Sequence, residues 1–553
     1  MEYKFKTPCG EYYKFFYDKK DPYAKYEFLS PFELKNTLIK EAEKNASKNP
    51  KYPFLNAGRG NPNFLSLRPR QASAILEQIC CELCNELKYG LATVPEKKGI
   101  AKRFYKIMEK YKKQNGYEFL EDALKKMMEI TKYKPDELIN ELTVASLGSF
   151  YPSPPRMQPF AELVVKEFLA ERIYKKHALV KNVQLFATEG AAAGIMYVFD
   201  SLQVNGILNP GDKIGIITPI FTPYLEIAPL ERFRLKMVCI EASEKDNWNI
   251  PDKELDKLKD KSIKGLFLVN PGNPYAQSIS KENVKRIGDI VRKHNKNLVI
   301  LTDNVYVPFV DTYDSLFTEL PFNTIGVYSY SKYYGVTGWR LGVTIVHKDN
   351  VIDKNLLPNL QKKTLERLEN RYKIATIDVP KLTFMDRLVL DSRMVSEGHV
   401  AGLSTPQQTL MSLLSLQELM PKHNLYNKEI KTLLRKRITD LCAPIKYKFL
   451  DTGKSSHYYI VIDLLKCAEG LYDAKFAQWI HKHIDPLDFV FILAKKYSTV
   501  LLPGVGFAAP PWSVRVSLAN LPTIDYKPIG VNLQKTFNDI YNEYKRSYSS
   551  KLN

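Results

Sequence analysis

The sequence predicts an α/β protein: a mainly parallel sheet flanked by helices, with a smaller α+β region after it and a helical N-terminal extension before it. Three observations carry this. Short apolar runs bounded by turn residues recur between residues 183 and 331, namely VQLFAT, KIGIITP, KMVCIEA, KGLFLVNP, NLVILTD and TIGVYSYS. Unbroken runs of this length suit strands buried on both faces. Helical periodicity intervenes, for example at residues 192–202 and 281–293, and strand–helix–strand alternation leads to parallel pairing. After about residue 355 comes a charged helical pattern, LQKKTLERLENRY, and then HYYIVIDLL and SVRVSLA, which read as strands of a mixed region.

Upstream of the sheet the pattern is helical. Residues 1–55 are rich in Tyr, Lys and Pro, with a short helical pattern at 31–45, and suit an arm laid on the body. Apolar residues then recur at helical spacing over 70–113 and 118–143. GSFYPSPP at 148–155 interrupts them with glycine and proline, and a further helix is predicted at 160–176. The sequence has no internal repeat.

Composition narrows the class. At 553 residues the chain has room for about three or four structural units and a sizeable core. Apolar residues at 44% and charged residues at 26% are ordinary for a globular protein. No apolar run approaches the roughly 18 residues that span a bilayer. The start, MEYKFKTPCGEYYKFF, lacks the apolar segment and cleavage site of a secretory signal, so a cytoplasmic protein without a membrane partner is expected. An odd, scattered set of seven cysteines (9, 80, 81, 84, 239, 442 and 467) predicts reduced thiols. Cys81 and Cys84 form a C-x-x-C with no second pair of ligands, so helical packing is expected there and no metal site. Lys and Arg exceed Asp and Glu by 20, but lysines such as Lys125, Lys126, Lys132 and Lys134 alternate with acids, as on solvated helix faces. No nucleic-acid partner is expected.

The strongest chemical signal is SYSKYYGVTGWRLG, residues 329–342, directly after a predicted strand. Lys332 at a strand end is placed to form a Schiff base with a carbonyl cofactor and then to move protons, provided cations and desolvation lower its ammonium pKa. Arg340 supplies a cation. Ser329 and Arg340 together suit a phosphate, the guanidinium through a bidentate contact that a lone ammonium does not match. The glycines let this turn pass close to a ligand.

On these residues the chain resembles the fold-type-I pyridoxal-phosphate (PLP) family, and within it the class I aminotransferases. The resemblance implies a seven-stranded type of sheet, PLP as cofactor and Lys332 as its Schiff-base lysine. Other stations follow in family order. NPGNP at 270–274 is similar to the family's N-P-x-N-P turn, which implies that Asn273 bonds the cofactor's phenolic oxygen. Asp303 and Tyr306 in TDNVY match D-x-x-Y: the resemblance makes Asp303 the partner of the pyridine nitrogen and Tyr306 a second donor to the phenolic oxygen. A carboxylate there keeps the ring protonated and electron-withdrawing. ATEGAAAG runs from strand to helix, so the amides of Gly190, Ala191 and Ala192 face a phosphate at a positive helix end. Phe221 resembles the aromatic ring stacked on the cofactor. Arg515, in PPWSVRVS, resembles the arginine that grips the substrate α-carboxylate. Tyr151 resembles a tyrosine lent to the neighbouring subunit's phosphate, and Ser404, more weakly, a small polar residue at the same interface.

Two departures from ordinary aminotransferases narrow the resemblance. LNAGRGNPNFLSLRPR at 55–70 and an extra segment between about 361 and 403 make the chain look like the bacterial aspartate 4-decarboxylases, which are also aspartate aminotransferases. That likeness implies β-decarboxylation of L-aspartate to L-alanine and CO2, with transamination as a side activity and a role in alanine biosynthesis. It also implies that Arg59 and Gly60, on a loop shaped by Asn56 and Gly58, join Asn273 and Arg515 in binding substrate. The expected parts are an arm (1–55), an active-site loop with a helical part of the small domain (56–175), a large PLP-binding domain (176–355), an inserted helical segment (356–405) and a C-terminal small domain (406–553). The expected assembly is a homo-oligomer, at least a dimer with shared sites, with larger forms such as a dodecamer in the same group. Two other readings stay open: an aminotransferase without decarboxylase activity, and a DNA-binding regulator with an aminotransferase-like domain. Residues 1–150 show no compact basic helix pair to favour the regulator.

Overall fold

The computed structural model describes residues 2–6, 12–16, 31–86, 89–393 and 402–549. Its main sheet has seven strands: β1 (Val183–Glu189), β2 (Lys213–Thr218), β3 (Lys236–Glu241), β4 (Ile263–Val269), β5 (Val299–Asp303), β6 (Thr324–Ser329) and β7 (Leu341–His347). They lie in the order β1-β7-β6-β5-β4-β2-β3. Strands β2 to β6 pair in parallel, whereas β7 runs antiparallel to β6 and β1. Every residue of β5 and β6 is buried, as their unbroken apolar runs require. A second, antiparallel sheet has β8 (Tyr459–Asp463), β9 (Leu502–Pro503) and β10 (Ser513–Ser517) in the order β8-β10-β9.

Seven helices matter for the site: α1 (Pro31–Lys48), α2 (Ala191–Val204), α3 (Lys362–Tyr372), α4 (Phe384–Ser392), α5 (Thr405–Leu419), α6 (Leu425–Cys442) and α7 (Pro486–Tyr497). α1 packs on α7. Just beyond α1, Leu55–Asn56 pairs in parallel with Thr499–Val500, which delivers the loop after residue 56 to the seam between the sheets.

The six predicted strands are all present, and β7 is the strand that the pattern missed. It grows directly out of the Gly-Trp-Arg-Leu-Gly turn, so its first residues read as loop. Arg340 takes a left-handed φ of 56° and reverses the chain into β7. Other expectations change locally. Residues 70–113 are mostly helical as expected, but in pieces: one helix stops at Leu83, and a short antiparallel pair, Asn85–Glu86 with Ala92–Thr93, precedes the next, Ile100–Met108. The 118–143 pattern is two helices, because Lys132 adopts φ 60° and Pro135 starts the second. The helix predicted at 160–176 ends in a π turn at Leu169–Ile173. Cys239 is disulfide-bonded, against the expectation of reduced thiols throughout; Cys80, Cys81, Cys84, Cys442 and Cys467 are free thiols. Cys9, parts of the arm and residues 394–401 of the extra segment lie outside the described residues.

The extra segment is tied to the main sheet's helix α2 by one buried carboxylate. Asp391 on α4 accepts from Arg371 Nη2 and Nε at 2.9 and 3.0 Å, from Tyr372 Oη at 2.8 Å, and from Ser201 Oγ and Asn205 Nδ2 at 2.7 and 3.1 Å. Arg367 and Arg387 bring further positive charge to the α2 C-terminus, through the Val204 carbonyl and Asn205 Oδ1, where the helix dipole favours cations. Asp391→Ala would strand these donors, among them the buried hydroxyl of Tyr372. It is expected to destabilise the fold by about 3 kcal/mol, read as a lower denaturation midpoint at unchanged slope.

Candidate active site

A cavity of about 500 Å³ opens where β4, β5 and β6 end, between the two sheets. This is where open α/β sheets place ligands. Three strand ends present chemistry to it: Asn273 after β4, Asp303 ending β5, and Ser329 with Lys332 at the end of β6. Arg515 enters from β10 and Arg59 and Gly60 from the N-terminal loop, while Ala191, Ala192, Phe221, Tyr306 and Arg340 are also part of the wall.

Lys332 Nζ donates to the Gly60 carbonyl at 2.9 Å, and Tyr458 Oη donates to the same oxygen at 2.9 Å. Gly60 is required by space, since a Cβ there would meet Tyr459 Oη at 2.7 Å. Asp303 is 3% exposed and accepts from Tyr224 Oη at 2.9 Å and from the Val305 amide at 3.0 Å. Burial pushes its carboxyl up to about 6, while the Val305 and Tyr224 bonds and the charge of Lys332 pull it back. Tyr306 Oη contacts Tyr459 Oη at 3.2 Å and receives Asn273 Nδ2 at 3.5 Å; burial and the neighbouring tyrosines hold it well above the usual phenol range.

Arg515 is 3% exposed, and its guanidinium lies over the rings of Tyr459 and Phe507, 4.4 and 4.5 Å from their centres. It donates to Asn273 Oδ1 at 3.3 Å and to the Gly58 carbonyl at 2.8 Å, and its Nε has no partner. Burial lowers its pKa, and the charges acting on it come from tyrosines, not from a carboxylate. A buried cation with neutral partners is costly unless an anion joins it.

At the other end of the cavity Gly190, at φ 89°, starts α2, and a Cβ there would lie 2.5 Å from Arg340 Nη2. The helix start and the guanidinium thus share one corner, and Ser329 lines it. Amides, a guanidinium and a hydroxyl suit a phosphate.

The sequence pattern shared by proteins described as "Aminotransferase class I and II" matches residues 150–528. The chain belongs to this family. Over 522 residues it is 40% identical to a Pseudomonas protein named "Bifunctional aspartate aminotransferase and L-aspartate beta-decarboxylase", covering 94% of this chain and 97% of that one. An aspartate aminotransferase of Pyrococcus horikoshii is 32% identical over 187 residues, 33% of this chain and 44% of the relative. In fold the chain is similar to Thermus thermophilus aspartate aminotransferase in a double-mutant form, with a TM-score of 0.56 at 15% identity over 91% of this chain and 94% of that one. The Thermotoga maritima aspartate aminotransferase gives 0.55 at 15% identity, over 92% and 97%.

As in other class I and II aminotransferases, the cofactor is PLP. The residues fit it: an amine, a buried carboxyl and a phosphate corner line one cavity whose volume suits a small cofactor and its substrate.

Of the predicted residues, Gly190 stands behind the lining, and Tyr151 and Ser404 do not line the cavity of their own chain. Tyr151 is 80% exposed, and exposed Ser404 precedes α5, its hydroxyl on Gln407 at 2.7 Å. Sequence reasoning missed Tyr224, Tyr459 and Lys35, which also line the cavity. Tyr224 follows Phe221 by three residues, one helical turn on, and that spacing is a usable signal. Tyr459 and Lys35 carry no local signal; Lys35 belongs to the arm, which the sequence places on the surface.

The desolvated Asp303 makes a prediction of its own. Its folded pKa lies above the unfolded value, so the protonated form is favoured and stability is lost as pH rises through about 6. Asp303→Asn, without cofactor, is expected to be more stable than wild type at pH 8 by on the order of 1–3 kcal/mol, with the gap closing below about pH 4, in paired denaturant titrations.

Proposed function

We propose that this aminotransferase-family enzyme decarboxylates L-aspartate at C4, releasing L-alanine and CO2, and transaminates aspartate as a side reaction. The observation that carries the reading is the loop 56–61, whose Gly60 carbonyl holds Lys332 Nζ and which brings Arg59 to the cavity. The name of the Pseudomonas relative supports the same two activities.

When bound, PLP withdraws electrons from the substrate's α-carbon and side-chain bonds. The chain's residues do the rest. Lys332 attaches the cofactor and then carries the α-proton. Asp303, held by Tyr224, pairs with the pyridine nitrogen, and its carboxylate form is stabilised by the charge it meets there. Asn273 and Tyr306 donate to the phenolic oxygen. Arg340, Ser329 and the amides of Ala191 and Ala192 would take the phosphate, and Phe221 would lie against the ring; the Gly190 amide is instead held by the Thr188 carbonyl at 2.7 Å. Arg515 takes the α-carboxylate through its fork, which orients the Cα–H bond. Arg59 faces the 4-carboxylate. A firm ion pair there stabilises the anion that must be lost, so the strength of that contact sets the balance between the two products.

The working unit is proposed to be a homo-oligomer, at least a dimer, in which Tyr151 and Ser404 serve the neighbouring site; the exposure of both supports this. We place it in the cytoplasm, with residues 176–355 as the PLP-binding domain and residues 406–553 as the C-terminal small domain. Purified enzyme given aspartate and PLP should release alanine and CO2 in equal amounts. Oxaloacetate alone, formed only when a 2-oxo acid is added, would establish the second reading, an aminotransferase without decarboxylation, which the family match favours.

A further inference from the structure

Two segments meet at Lys332 Nζ: the 329–335 turn that carries it and the 58–67 loop that supplies the Gly60 carbonyl. Consecutive residues at the end of α5 hold both. Ser66 Oγ donates to Gln417 Oε1, and the Ser66 amide donates to the Tyr334 carbonyl at 3.2 Å. Tyr333, next to Lys332, donates its hydroxyl to Glu418 Oε1 at 2.9 Å and receives Asn427 Nδ2 at 2.9 Å. The Tyr333 ring stands edge-on to Phe309 at 5.4 Å, and Phe309 edge-on to Tyr458 at 5.1 Å; Tyr458 shares the Gly60 carbonyl with Lys332.

We infer that Glu418 is a positioning residue for Lys332, acting through Tyr333 to hold the amine against the Gly60 loop. The inference rests on Lys332 being the cofactor lysine. Glu418 is 3% exposed, and an ordinary core would place an apolar residue here. The nearby arginine does not pair with its carboxylate: Arg172 Nε donates to the Glu418 backbone carbonyl at 2.8 Å. The Asn424 amide, turned to satisfy both neighbours, donates to Glu418 Oε2 at 3.0 Å and accepts from Arg172 Nη2 at 2.8 Å. One carboxyl oxygen is thus given to the tyrosine that follows the lysine and the other to Asn424.

Other groups face it from each side. Tyr328 of β6, Tyr334 of the turn and Tyr426 of α6 feel its charge, and Arg172 and Lys431 act on it in return. Burial pushes Glu418 up to about 7, against the pull of Tyr333, Arg172 and Lys431. Because this lies above the unfolded value, its share of stability is present at low pH and is lost as pH rises through about 7.

The test uses the full-length enzyme and the variants Glu418→Gln, Glu418→Ala and Tyr333→Phe. Stripped of cofactor, each is titrated with PLP between pH 6 and 8.5, and its melting temperature is followed over the same range. Glu418→Gln keeps an acceptor for Tyr333, so it should bind PLP within about twofold of wild type while losing the part of the fall in melting temperature centred near pH 7, the part nearer pH 6 belonging to Asp303. Glu418→Ala and Tyr333→Phe should weaken PLP binding by about fivefold or more, the worth of one buried hydrogen bond. Wild-type PLP affinity in Tyr333→Phe, or in a Glu418→Ala protein that merely melts earlier, overturns the inference. A Lys332→Ala control separates the two claims: if that variant still reacts covalently with PLP, the reading of Lys332 fails instead.

Discussion

Lys332→Ala is expected to abolish covalent attachment of PLP and to lower aspartate turnover by at least about 10³-fold, since it removes both the nucleophile and the proton carrier. The visible band of the covalently held cofactor should vanish, and borohydride should no longer fix PLP to the chain. Protein stability is expected to change little, because among the described residues the Nζ makes one hydrogen bond, to the Gly60 carbonyl, which keeps Tyr458 as a donor. A variant that kept its band would mean that another amine does this work.

The second large effect is expected at Arg515. Among the described residues its buried fork hydrogen-bonds only Asn273 and the Gly58 carbonyl, so an incoming carboxylate is the anion that completes the site. Arg515→Lys and Arg515→Ala are each expected to cut kcat/KM for aspartate by about 10²–10³-fold, corresponding to about 3–4 kcal/mol, with most of the change in KM. Lysine fails because it cannot repeat the planar, two-toothed contact. PLP loading should be unaffected. Arg515→Met without ligand is expected to melt no lower than wild type, because it removes a buried charge that lacks a counter-ion. A large loss of stability in that variant would show that the arginine is structural.

How much was legible depended on how local each signal was. The six strands predicted from apolar runs were found because burial on both faces writes itself into consecutive residues. β7 was missed because its start coincides with a turn motif, and a left-handed residue, Arg340, does not announce the reversal that follows. That Lys332, Asp303 and the 270–274 turn would meet in one cavity was legible because each sits at or just past a strand end, within a few residues of a strong pattern. The 70–113 stretch is mostly helical, as its periodicity predicts, and is broken by a short antiparallel pair, because periodicity alone does not see chain reversal.

What the sequence by itself determined was the sheet, the identity of the groups at its C-terminal edge and their family. Those properties follow from periodicity and short motifs, which need no distant partner. Only the tertiary structure decided that the Gly60 carbonyl, 272 residues away, holds Lys332, that Tyr224 holds Asp303, and that Glu418 buttresses the lysine's neighbour. These contacts join segments far apart in the chain. Their geometry is set by how helices and sheets pack, and a residue's local neighbours carry no record of it.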